Sequence, residues 1–290
     1  MRTILIQLDT DAHPSVFDRV VAVDAGVDEV FSYGGVQPDT VEGLVHGAIF
    51  TRGPDDLRNT ALFIGGSDLE TAERVADRAQ QAFFGPLRVS VLLDPSGCNT
   101  TAAAAVIAVS RHVDLGDCRA TVLGATGPVG RRVAHLLASE GAEVRIGSRS
   151  LAKAERLRES LRKRLPDGRL LPCQTATEAE TEAACRDADV LVAAGAAGVQ
   201  LVSPSLRQHW SRLRVAVDLN AVPPAGVAGI DPADRGVERD GTFCYGAIGV
   251  GGWKMKIHKA AVRRLFESND QVLDTDAIYR LARSLILSDG

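Results

Sequence analysis

The segment 119–147 constrains this chain more than any other. An apolar run over 119–124 ends on Gly124-Ala125-Thr126-Gly127-Pro128-Val129-Gly130, a helix-patterned stretch covers 129–139, and a second apolar run covers 143–147. Strand, glycine turn, helix and strand at this spacing predict a βαβ unit with parallel strands. In a dinucleotide-binding unit one glycine serves the tight bend, a second lets the backbone approach a pyrophosphate, and a third lets the helix pack on the strand. Gly127 and Gly130 fill the last two places. In the strict G-x-G-x-x-G frame the first place is Ala125, and Gly124 precedes it, which gives the G-x-x-G-x-x-G spacing of many NADP enzymes.

Cofactor choice is read at the end of the second strand, where an NAD enzyme places a carboxylate for the ribose hydroxyls. This chain has Gly147-Ser148-Arg149-Ser150 there, with Lys153 one turn on. A carboxylate would repel a 2′-phosphate, whereas a guanidinium binds it bidentately and serine hydroxyls donate to it. The expected cofactor is therefore NADP. The alternative is that Arg149 and Lys153 form a solvated helix face. Two further glycine-rich strand ends, with Ala194 and Gly195 in one and Gly246, Gly249 and Gly251 in the other, suit close approach of a nicotinamide ribose or tight packing equally well.

The rest of the chain continues the alternation of strand and helix. Before the glycine turn come runs at 3–7, 15–25, 29–31, 40–46, 47–51, 60–64, 68–83 and 88–93, in which Ser67 with Glu70 predicts a capping box. After it come 151–164, 170–174, 177–187, 190–194, 203–210, 215–219, a helix at 253–267 and a closing helix at 274–287. The expected fold is α/β, with two α/β domains, the second a Rossmann-type doubly wound parallel sheet, and an interdomain cleft. The turn-rich loop 94–101 marks the boundary, giving a substrate domain of 1–101 plus 270–290 and an NADP domain of 102–269.

With 290 residues, 45% of them apolar, the chain has enough material for large cores. A net charge of −4, without a basic tail, argues against nucleic acid. Five scattered cysteines and six scattered histidines lack metal-ligand spacing, so no metal is expected and the thiols read as free. No apolar run approaches the ~20 residues of a membrane span, and the N-terminal run lacks a signal-peptide pattern. A cytoplasmic location is the expectation.

Read together, the motifs carry a resemblance. Asp9-Thr10-Asp11, Pro14-Ser15-Val16-Phe17-Asp18, Thr51-Arg52, Phe63-Ile64-Gly65-Gly66, Phe83-Phe84-Gly85-Pro86 and the loop 94–101 are followed in order by the glycine turn, Asp218-Leu219-Asn220-Ala221, Pro223-Pro224 and the stretch 246–256. The chain resembles the NADP-dependent methylene-tetrahydromethanopterin dehydrogenases of one-carbon metabolism over essentially its whole length. The resemblance implies hydride transfer from a methylene bridge between two pterin nitrogens to NADP, with methylene-tetrahydrofolate accepted by some members. It also implies a homo-oligomer, with a trimer as one form. Loss of hydride leaves a cation stabilised by the flanking nitrogens, so no proton has to be removed and orientation is the main requirement.

A pterin presents an amino group and a ring N–H side by side, for which a carboxylate is the natural acceptor. Asp9, Asp11, Asp18 and Asp94 are candidates, with Asp18 first because it follows the first strand. Asn99, Thr100 and Thr101 suit substrate binding and helix capping equally. The resemblance makes Lys256 an active-site candidate, alongside Asp18 and Asn99. His258, two residues on, has no assigned role. Asn220 and Gly249 join Ala194 and Gly195 as candidate cofactor contacts. Two competing functions share the fold: a shikimate-type or amino-acid-type NADP dehydrogenase, which needs a proton acceptor, and a non-catalytic NADPH sensor.

Overall fold

The structure, a computed structural model, describes residues 1–207 and 210–286. The chain divides into two compact units, Met1–Thr100 with the chain from Met255 onward, and Thr101–Lys254.

The first unit begins β1 (Ile4–Asp9), α1 (Val16–Asp24), β2 (Glu29–Tyr33), α2 (Val41–Ile49), β3 (Thr60–Gly65), α3 (Leu69–Gln81) and β4 (Ser90–Leu93). Helix α4 (Cys98–Ser110) leads out of it. Late in the sequence β12 (Val272–Leu273) and α10 (Thr275–Ile286) return to it. Its five strands are all parallel, in the order β12-β4-β3-β1-β2. Every residue of β3 is buried, as expected of an inner parallel strand covered on both faces. Because β2 and β3 lie on opposite sides of β1, the switch point of this sheet is at the carboxyl ends of β1 and β3.

Three local expectations change. The runs 40–46 and 47–51 form the single helix α2, whose Val41, Val45, Ala48 and Ile49 bury one helical stripe. The α3 cap is Asp68, which accepts from the Thr71 N–H, because Ser67 is held by Asp11 instead. Residues from Met255 belong with the first unit, ahead of the expected return at 270. There Ile257, Ala261, Val262 and Leu265 are buried, Lys259 pairs with Asp24 at 2.9 Å, and Arg263 donates to the Ala25 carbonyl.

The second unit contains β5 (Arg119–Leu123), α5 (Pro128–Ser139), β6 (Glu143–Ser148), α6 (Leu151–Arg162), β7 (Leu170–Gln174), α7 (Glu178–Cys185) and β8 (Val190–Ala193). It continues with α8 (Pro204–Arg207), β9 (Val215–Asp218), β10 (Arg235–Arg239), β11 (Thr242–Tyr245) and the start of α9 (Ala247–Arg264). The strand order is β10-β11-β9-β8-β5-β6-β7, with only β10 antiparallel to its neighbour. The order reverses at β5, as a doubly wound sheet requires. The β10–β11 hairpin was not expected, since Arg235–Arg239 has no apolar alternation. Its sequence signal is the Asp240-Gly241 turn, where both residues have positive φ. Gln208 and His209, within the expected helix at 203–210, and Leu287, at the end of the expected closing helix, lie outside the described residues. No helix among the described residues is long and apolar enough to cross a membrane.

Candidate active site

In the second unit the glycine turn sits between β5 and α5. Gly124 has φ +68°, and a Cβ there would lie 2.7 Å from the Ala194 carbonyl oxygen and 2.8 Å from the Gly195 Cα. Only glycine satisfies both the left-handed conformation and this close approach. The Gly127 N–H donates to the Gly124 carbonyl, and Gly127 caps α5 without a side chain, with Pro128 in the first helical position. The next backbone N–H groups, of Val129 and Gly130, have no intrahelical acceptors, and the helix end carries partial positive charge. A Cβ on Gly130 would stand 2.5 Å from the Gly124 oxygen and 2.8 Å from the Ala125 Cα, so Gly130 lets helix and turn touch. Thr126 and Val129 are half-buried and Pro128 is exposed around this cradle. Its open N–H groups and missing Cβ atoms fit a dinucleotide pyrophosphate.

On one side of β5, strand β6 ends at Ser148, which is buried; its Oγ accepts from the Ser150 N–H at 3.3 Å. The Ala125 N–H donates to the Gly147 carbonyl at 3.0 Å, tying the turn to this strand end. Arg149 and Lys153 are exposed, and Ser150 caps α6 without using its hydroxyl. The residues available to a 2′-phosphate therefore stand together at one strand end.

On the other side, β8 ends beside Ala194 and Gly195, the two residues that Gly124 touches. Asn220, after β9, accepts from the Gly198 and Val222 N–H groups and donates to the Pro224 carbonyl. Asp218 accepts from the Asn220 and Val227 N–H groups, and its burial pushes its pKa up despite those bonds. Together they pin the loops that follow β8 and β9. Gly249 stands apart from this group: in the first turn of α9, a Cβ on it would meet the Asp234 carbonyl oxygen at 1.8 Å. Packing against the 231–235 loop accounts for Gly249 without any ligand.

In the first unit, the chain itself engages the candidate carboxylates Asp9, Asp11 and Asp94. Asp9 accepts from the Asp11 and Ser15 N–H groups, and Asp11 from the Ser67 N–H and hydroxyl. Asp94 accepts from the Asn99 and Thr100 N–H groups and the Thr100 hydroxyl. These bonds order the loops at the carboxyl ends of β1, β3 and β4. Asn99, expected among the catalytic residues, is fully buried. Its amide donates to the Leu93 carbonyl and accepts from the Thr275 hydroxyl at 2.8 Å. Its side chain joins β4 to α10, and Asp94, which accepts from the Asn99 and Thr100 N–H groups, serves the start of α4 instead.

Asp18 lies in the first turn of α1, whose Ser15 cap accepts from its N–H, and its Oδ1 faces the His258 Nε2 at 4.0 Å. His258 is fully buried, stacked on Phe63 with ring centroids 5.8 Å apart and tilted against Phe17 at 6.2 Å. Lys256, two residues earlier on α9, is exposed and about 200° around the helix from His258.

Comparison with known proteins reads this geometry further. Residues 16–96 match the family described as methylene-tetrahydromethanopterin dehydrogenase, N-terminal, and residues 119–211 match NADP oxidoreductase coenzyme F420-dependent. The NAD(P)-dependent methylenetetrahydromethanopterin dehydrogenase of Methylorubrum extorquens is 35% identical, over 97% of this chain and 98% of that protein. The chain belongs to the methylene-tetrahydromethanopterin dehydrogenase family. A further relative from the same organism, named bifunctional protein MdtA, is 43% identical over 98% of this chain and 99% of its own length. Among solved structures, shikimate 5-dehydrogenase from Listeria monocytogenes aligns with TM-score 0.54 at 13% identity, covering 97% of this chain and 96% of that one. Quinate dehydrogenase from Corynebacterium glutamicum gives 0.53 at 12%, covering 98% and 99%. Those likenesses concern the fold alone.

His258, to which the sequence assigns no role, is buried in the first unit. The signal was its phase with Ala261, Val262 and Leu265, at i+3, i+4 and i+7, which places it on the buried stripe of α9.

Proposed function

We propose that this family member is an NADP-dependent methylene-tetrahydromethanopterin dehydrogenase of one-carbon metabolism, whose products are the methenyl pterin and NADPH. The observation that carries the reading is 35% identity, over nearly the full length, to a protein named NAD(P)-dependent methylenetetrahydromethanopterin dehydrogenase, combined with a glycine cradle suited to a dinucleotide. NADP, when bound, supplies the hydride acceptor.

The chain's residues bind and orient. Val129 and Gly130 N–H groups meet the pyrophosphate, and Arg149, flanked by Ser148 and Ser150 with Lys153 a turn on, takes the 2′-phosphate. Ala194 and Gly195 leave room for the nicotinamide ribose. Asp18 accepts from the pterin amino group and ring N–H, and Lys256 donates to the pterin carbonyl. Neither serves as a base, because loss of hydride from a carbon between two nitrogens requires no proton removal. A shikimate-type reaction does require one, so replacing Asp18 or Lys256 separates the two: binding weakens in the first, and turnover is abolished in the second. An NADPH sensor would show no turnover with any pterin.

We place the enzyme in the cytoplasm as a homo-oligomer, with a trimer as the form to test by light scattering. The deciding assay follows NADP reduction by absorbance with methylene-tetrahydromethanopterin and methylene-tetrahydrofolate in parallel. Turnover with either supports the reading, and their kcat/KM ratio gives the preference; no turnover with both overturns it.

A further inference from the structure

On the strand next to Ser148 and Arg149 stands a further hydroxyl, that of Thr175, the first residue after β7. We propose that Thr175 is a further specificity-determining residue for NADP, its hydroxyl donating to the 2′-phosphate beside Arg149. This rests on the NADP reading above and extends it to a second strand end.

Strands β6 and β7 are parallel neighbours, with Gly147 opposite Cys173 and Ser148 opposite Gln174. Their carboxyl ends share one edge of the sheet, the edge where dinucleotides bind in folds of this kind. The pairing continues past β7, because the Thr175 N–H donates to the Ser148 carbonyl at 2.8 Å. The two chains are therefore about one strand spacing apart here, ~4.8 Å, which is less than two O–H···O hydrogen bonds of about 2.8 Å laid end to end. An anion seated at the end of β6 is within reach of a side chain at the end of β7.

Local structure holds Thr175 in that place. Its Cγ2 lies 3.3 Å from where a Cβ on Gly147 would stand, so the side chain leans over the end of β6. A β-branched side chain is stiff at Cβ, and with the methyl seated there the hydroxyl takes another staggered position. Thr175 is half-buried, and its hydroxyl has no protein partner among the described residues. The groups that follow are engaged: the Ala176 and Thr177 N–H groups donate to Glu180, and the Thr177 hydroxyl accepts from the Glu180 N–H in the capping box of α7. These bonds order the loop and leave the Thr175 hydroxyl open to a ligand. A hydroxyl donates well to a charged phosphate oxygen, and NAD, with a ribose hydroxyl in place of the 2′-phosphate, presents no such anion.

The test titrates full-length wild type, T175V and T175S with NADPH and with NADH, followed by nicotinamide fluorescence. Valine keeps the methyl against Gly147 and removes the hydroxyl, whereas serine keeps the hydroxyl alone. T175V should bind NADPH about tenfold or more weakly, the scale of one hydrogen bond to a charged group, while NADH binding stays within about twofold. T175S should recover most of the loss. A role in packing alone would weaken both nucleotides alike or leave serine no better than valine; either result, or NADPH binding by T175V equal to wild type, overturns the proposal. Should T175V fail to fold, T175A takes its place, since alanine also lacks the hydroxyl, and equal NADPH affinity in T175A and T175S overturns the proposal. Wild type that binds neither nucleotide, or binds NADH as tightly as NADPH, refutes the NADP reading itself, a distinct outcome.

Discussion

Replacing Gly130 by alanine tests the cradle at its tightest point. The added Cβ would sit 2.5 Å from the Gly124 carbonyl oxygen and 2.8 Å from the Ala125 Cα, against 3.4 Å or more for ordinary contact. Both obstacles are backbone atoms, so no side-chain rotation relieves the clash. Relief requires α5 to move off the turn, which disturbs the Gly127-to-Gly124 hydrogen bond and the N–H groups that the pyrophosphate needs. Overpacking of this kind costs about 1–3 kcal/mol. At roughly 2–4 °C per kcal/mol for a domain of this size, melting should fall by about 2–12 °C. The assay is calorimetric melting with and without NADP, together with an NADP titration. G130A should melt lower and lose at least about tenfold in NADP affinity, equivalent to ~1.4 kcal/mol. A variant that melts with wild type and binds NADP equally well would refute the assignment of this turn.

Other substitutions probe separate parts of the account. Arg149→Ala should raise the NADP KM about tenfold or more, the scale of one charge-assisted contact, and leave the NAD KM nearly unchanged, as steady-state kinetics with both cofactors would show. Asn99→Ala should destabilise the protein by about 1–3 kcal/mol in urea, because Leu93 and Thr275 lose a buried partner, while kcat remains close to wild type. Asp187 is held at about 2 by its hydrogen bond and ion pair with Arg145, with Arg119 adding to it. Its folded pKa lies below the ordinary 3.8, so its contribution is full above pH 3.8 and is lost as pH falls towards 2. Asp187→Asn should flatten that stretch of the stability profile; the pair is partly solvated, which keeps the effect small.

Much of the second unit's fold was legible because its pattern is local. Gly124, Gly127 and Gly130 owe their roles to backbone spacing, and Ser148, Arg149 and Lys153 follow one strand end, so periodicity alone placed them together. Gly249 shows the limit of such reading: it lies in the first turn of α9, where the carbonyl of residue 234 already requires a glycine, and sequence alone does not separate that demand from a ligand's. The β10–β11 hairpin was hidden by an exposed strand with one apolar residue, although Asp240-Gly241 marked its turn. In the first unit the deciding contacts are distant in sequence. Asp18 meets His258 240 residues later, and Asn99 meets Thr275, pairings set by tertiary packing that no local pattern encodes. Ser67 shows the intermediate case, where a cap legible in sequence was displaced because Asp11, 56 residues away, binds the same hydroxyl.

The most direct measurement of the central claim follows the hydride itself. Methylene-tetrahydromethanopterin carrying two deuterons on its bridging carbon is incubated with enzyme and NADP, and the NADPH formed is analysed by mass spectrometry. The account predicts one deuteron in each NADPH, with the other retained on the methenyl carbon. NADPH formed without deuterium, or no NADPH at all, would contradict it.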